Sequence, residues 1–143
     1  MKRELPEVRT FTRSLIEWRV AERDQKCTQA AEWLLGELSE RMTPLIGRAG
    51  YHLLLSRALK KAKEKHPVLA AVRVERNGRT YLSGMDALQE EGDVGAAETL
   101  LSEFIALTAR FLGADMAIRL VRQSFPDAPP LRMRPDSEKS TDE

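Results

Sequence analysis

Residues 94–112 read VGAAETLLSEFIALTARFL, and this stretch decides the fold class. Val94, Ala97, Leu100, Leu101, Phe104, Ile105, Leu107, Phe111 and Leu112 recur at the three- and four-residue steps of a helix, yet they cover most of its circumference. A surface helix needs only one apolar stripe. A helix that is apolar nearly all round is enclosed on several sides, by neighbouring helices or by a second copy of the chain. Gly113 ends the run, and Asp115 is the expected cap of a last helix over 116–124, with Ile118, Leu120, Val121 and Phe125 as its packing residues.

Upstream, the spacing predicts a helix over 49–65. Tyr51, Leu54, Leu55, Ala58, Leu59 and Ala62 share one side, Arg57, Lys60, Lys61, Lys63 and Glu64 take the rest, and Pro67 stops it. Before it, Ala31, Leu34, Leu35, Leu38 and Met42 make one face of a helix over 28–42. Pro44 is expected to end or kink that helix, since its ring clashes with the preceding turn, and Gly47 and Gly50 mark a turn. A first helix over 8–23 carries Phe11, Leu15 and Trp18 on one stripe, with Ser14 and Glu17 at capping-box spacing. Between 65 and 94 the rhythm changes. Val68–Val74 is short and β-branched, Asn77-Gly78 follows, and Thr80, Tyr81 and Leu82 come next, which is the pattern of a β-hairpin around 70–82. Ser83 and Asp86 suit a short helical turn over 84–91. From Pro126 onward the composition turns to Pro, Asp, Ser, Arg and Glu without periodicity, the mark of a disordered tail. The expectation is an all-α bundle of four to five helices with one small hairpin, a single domain over 1–125 and a tail over 126–143.

Composition agrees with that outline. Apolar residues make up 42% of the 143, enough for one core, and aromatics only 6%, so the core is built from Leu, Ile, Val and Ala. Net charge is +1 but unevenly spread. Residues 48–82 carry nine basic groups against Glu64 and Glu75, a net of +7, while 83–109 carry six acidic groups and no base, a net of −6. The single Cys27 excludes an intramolecular disulfide and fits a reducing compartment. The N-terminal MKRELPEVRT has no apolar signal core, and no run approaches the roughly 20 apolar residues of a membrane span. These features predict a cytoplasmic protein without membrane contact.

Chemical signatures are sparse. Cys27, His52 and His66 are the soft and imidazole ligands, and no two are paired at a zinc spacing. The histidines lie at opposite ends of one expected helix, roughly 21 Å apart at about 1.5 Å per residue. No metal and no cofactor is therefore expected. Cys27 stands near a helix start, where the dipole favours a thiolate, but it also fits an apolar stripe, and the core reading is preferred. No serine has a nucleophile-elbow context, and no glycine-rich loop joins a strand to a helix. His52, tested as a phosphotransfer histidine, has Leu55 and Ser56 one turn on, without the lysine and glycine of such helices. The positive signal is the basic region: Arg57, Lys60, Lys61, Lys63, Lys65, Arg73, Arg76 and Arg79. It either binds phosphates or forms a solvated face set against the acidic region of the same or another chain.

The functional expectation is a non-enzymatic interaction module, an adaptor or regulatory subunit acting through protein–protein contacts. Self-association as a homodimer is expected through Leu100, Leu101, Phe104, Ile105, Leu107, Phe111 and Leu112. The alternatives are a nucleic-acid-binding accessory protein using the basic region, and a small-ligand sensor with Trp18, Trp33 or Tyr51 lining a pocket between helices.

Overall fold

A computed structural model describes residues 6–24, 26–76, 80–85 and 94–128. Four α-helices and one two-stranded hairpin follow in the order α1 (Pro6–Arg23), α2 (Cys27–Lys65), β1 (Arg73–Arg76), β2 (Thr80–Ser83), α3 (Val94–Leu112) and α4 (Ala114–Ser124), with a 3₁₀ turn over Pro67–Ala71.

α3 is the centre of the bundle, in contact with α1, α2 and α4. Leu100, Leu101 and Phe104 are completely buried and Ile105 nearly so. Each such side chain contributes about 1.5–3 kcal/mol of transfer free energy on burial. Of the two ways to cover an all-round apolar helix, neighbouring helices of the same chain account for these four residues.

The 39 residues of α2 are two arms. The backbone leaves helical geometry at Gly47, with φ 81° and ψ 162°, a region that is essentially glycine's alone. The hydroxyl of Tyr51 donates to the carbonyl of Leu35 at 2.9 Å. In an unbroken helix residues 35 and 51 stand about 24 Å apart, so this bond exists only because the second arm folds back along the first. The break falls three residues beyond Pro44, which the helix accommodates. Proline removes one donor and crowds the preceding turn, whereas the reversal itself needs a positive φ, and Gly47 supplies it. Both arms bury the faces their periodicity predicts: Ala31, Leu34, Leu35, Leu38 and Met42 on the first, Tyr51, Leu54, Leu55, Ala58, Leu59 and Ala62 on the second.

α1 buries Val8, Phe11, Leu15 and Ile16, and the Ser14–Glu17 pair lies within it rather than at its start. At its C-terminal end Trp18 meets Trp33 and Phe125 in a three-ring cluster with centroids 5.6–6.3 Å apart. Gly113, with φ 95°, is the N-cap of α4, and Asp115 falls one position inside the first turn, where its charge still meets the positive end of the helix dipole.

The hairpin is antiparallel, pairing Arg73 with Ser83, Val74 with Leu82, Glu75 with Tyr81 and Arg76 with Thr80. Leu82 is buried and Val74 half-buried, and both strands pack on α2, which supplies the support an isolated hairpin lacks. The β-branched run before it divides: Val68–Ala71 forms the 3₁₀ turn and only Arg73 onward is strand. Gly84 closes the hairpin at φ 90°, where a Cβ would lie 2.6 Å from the carbonyl oxygen of Ala71. The Asn77-Gly78 loop, residues 86–91 of the turn expected over 84–91, and the tail from 129 onward lie outside the described residues. Just beyond Phe125 the amide of Ala128 donates to the carbonyl of Phe125 at 3.1 Å, and Ala128 packs half-buried on the core.

Candidate interaction surfaces

The acidic and basic regions meet partly within the chain. Lys65, on the last turn of α2, pairs with Glu103 of α3 at 3.0 Å. Arg13 of α1 holds Glu98 of α3 through two nitrogens, at 2.6 and 3.4 Å. Its hydrogen bond to Glu98, with the attraction of that carboxylate, raises the arginine further above its ordinary pKa. Beside it, Arg9 donates to the hydroxyl of Thr99 at 3.3 Å, and the Nε2 of His66 lies 2.9 Å from the same oxygen. α1, the end of α2 and the start of α3 are thus joined by a polar seam. Its residues lie 33 to 90 positions apart in sequence, and no local pattern announces it.

This seam leaves most of the basic stripe unneutralised. Arg57, Lys60 and Lys61 are exposed on the second arm of α2, and no ion pair joins them to any of the described residues. Lys63 is half-buried, and Arg73 is exposed on the hairpin. The side chain of Arg76 and all of Arg79 lie outside the described residues. One turn before Arg57, on the same side of the helix, Leu53 is 57% exposed. Leu53 lies off the apolar face that the periodicity of this arm defines.

The residues assigned to self-association do not form one surface. Leu100, Leu101, Phe104 and Ile105 are buried in the core of their own chain. Leu107 and Leu112 are half-buried, and only Phe111, 62% exposed, stands clear. Near it the elbow between α3 and α4 holds a groove of about 450 Å³ lined by Leu112, Gly113, Ala114, Asp115, Met116 and Arg119.

A second groove, of about 410 Å³, runs along α1 between Ser14, Glu17, Trp18, Ala21 and Glu22. Trp18 belongs both to this groove and to the three-ring cluster, where the Arg19 guanidinium covers the Trp33 face at 3.5 Å. The aromatics proposed for a ligand pocket therefore separate. Tyr51 is buried edge-on to Phe104, 5.5 Å between centroids, with its hydroxyl committed to Leu35, while Trp18 and Trp33 sit together at the other cluster.

Chemical groups are placed as follows. Cys27 begins α2 half-buried and packs against the core. Burial pushes its thiol pKa up, and the charges of Glu17 and Glu98 push it further, opposite to what a reactive thiolate requires. The Nδ1 of His52 is buried without a hydrogen-bond partner among the described residues. Among those residues no three metal-ligating side chains gather, and no helix is long and apolar enough to cross a membrane. Comparison of the chain with models of known families, with characterised proteins and with solved structures finds no match.

Proposed function

We propose that the chain is a non-enzymatic interaction module, an adaptor or regulatory subunit of the cytoplasm, which grips a protein partner with the outer face of the second arm of α2. The observation that carries this reading is the stripe of Leu53, Arg57, Lys60 and Lys61: an exposed apolar side chain followed by three cations that have no ion-pair partner among the described residues. A face neutralised within its own chain would set these cations against nearby acids. Here the described acids of α3 are committed elsewhere, Glu98 to Arg13 and Glu103 to Lys65. The arm that presents the stripe is rigid, anchored by six buried side chains from Tyr51 to Ala62, so the partner meets a preformed surface.

A nucleic-acid-binding accessory role uses the same cations and is the second reading. Leu53 weighs against it, because a phosphate backbone offers an apolar side chain nothing to pack on. A photo-crosslinking amino acid placed at position 53 in living cells separates the two. The expected product is an adduct to protein that disappears when Lys60→Glu and Lys61→Glu are added. Fluorescence anisotropy with single- and double-stranded oligonucleotides is expected to show no binding near physiological salt. Adducts to nucleic acid, with an affinity that falls steeply as salt rises, favour the second reading. Absence of any adduct at position 53 ends the protein reading, and absence of salt-sensitive oligonucleotide binding ends the second.

A further inference from the structure

We infer that the partner of the α2 stripe is a second copy of this chain, whose groove along α1 receives it. The inference rests on the stripe being a protein-binding face, and it adds the occupant. The two surfaces match in spacing. Leu53, Arg57, Lys60 and Lys61 fall at steps of zero, four, seven and eight along α2, and Ser14, Glu17, Trp18, Ala21 and Glu22 fall at zero, three, four, seven and eight along α1. Each is one side of about two helical turns, roughly 12 Å long.

They also match in chemistry. The groove is shallow and open, one face of α1, in which the half-buried Trp18 and the exposed Ala21 lie between two exposed carboxylates, Glu17 and Glu22, which form no ion pair among the described residues. The neighbouring Arg13 pairs with Glu98 and is attracted to Glu17 only more weakly, and Arg19 feels the charge of Glu22. The stripe has one apolar knob and three cations. Leu53 set against Trp18 and Ala21 brings the cations over Glu17 and Glu22, and the apolar contact carries the affinity while charge fixes orientation. Knob and groove are different surfaces, and two copies that each offer both to the other close as a reciprocal two-fold pair with two equivalent contacts.

Charge exchange tests this on the full chain by sedimentation velocity from 5 to 100 µM at low salt. The wild type is expected to associate. The double variant Lys60→Glu/Lys61→Glu sets acid against acid, and Glu17→Lys/Glu22→Lys sets base against base. Each is expected to weaken association by about tenfold or more. All four positions are exposed, so circular dichroism should show the wild-type fold. The decisive arm is the equimolar mixture of the two variants, which restores opposite charge at both contacts and should recover the assembled mass. Leu53→Asp should abolish assembly, whereas Phe111→Asp, at the other apolar site, should not. A wild type monomeric throughout, variants that associate as well as the wild type, or a mixture that stays monomeric each overturns the inference. A monomeric wild type that still forms a position-53 adduct with a different protein removes the second copy and leaves the interaction module standing.

Discussion

Replacing Gly47 by alanine probes the feature on which the whole architecture turns. At φ 81° and ψ 162° the residue occupies backbone space that a Cβ makes costly, yet a Cβ built there meets nothing within 4 Å. The penalty is therefore conformational, not steric contact with neighbours, and strain of this kind costs about 1–3 kcal/mol. Alanine also stiffens the unfolded chain, which returns about 0.4–1 kcal/mol. The net expectation is a loss of about 1–2 kcal/mol, or a Tm lowered by about 2–8 °C for a domain near this size. Gly36 provides the control. It lies inside the first arm of α2, a Cβ there also meets nothing within 4 Å, and Gly36→Ala should stabilise by about 0.5–1 kcal/mol through helix propensity. The same chemical change at two open positions of one helix is thus expected to act with opposite sign. Urea unfolding at equal m-value measures both. If Gly47→Ala stabilises as Gly36→Ala does, the chain runs helically through residue 47, and the fold-back that brings Tyr51 to Leu35 is wrong.

Phe104→Ala should cost about 3–5 kcal/mol, since the ring is wholly buried against Tyr51. The loss should be equal at every protein concentration, because that contact lies within one chain, and a loss that grows on dilution contradicts this. Cys27 should react with iodoacetamide more slowly than a free thiol at pH 8, and Glu17→Gln should speed it, because burial first and the carboxylates of Glu17 and Glu98 next raise its pKa above the ordinary value near 9. The sign for stability follows: with the folded pKa above the unfolded one, stability is intact below about pH 9 and falls as pH rises through the higher folded value. Cys27→Ser should flatten that alkaline loss, and an unchanged profile contradicts the assignment. Truncation after Ala128 should leave Tm within a few degrees, since Ala128 is the last described residue on the core and the remaining composition buries little apolar surface. A large drop means that Leu131 or Met133 contributes to the fold.

Much of the architecture is written in local spacing. The buried faces of both arms of α2, the all-round burial of the middle of α3 and the hairpin after the β-branched run follow from periodicities of 3.6 and 2, which any window of about ten residues contains. The same spacing shows a cationic stripe between 57 and 65, because charge on a helix face is also a local property. What the sequence alone left open is whatever depends on two distant segments meeting. Nothing near Glu98 indicates that Arg13, 85 residues earlier, would hold it. Nothing near Lys61 tells it from Lys65, yet the first is unpaired among the described residues and the second is held by Glu103. The surplus apolar circumference of α3 was equally open to a second copy until the fold surrounded it with α1, α2 and α4. Pro44 and Gly47 both marked a break locally, but only the fold shows that the reversal sits at Gly47, where a positive φ lets the second arm return along the first. Local periodicity sets which face of a helix is buried, while the direction of each turn sets which helix covers it and so which charges are left facing outward.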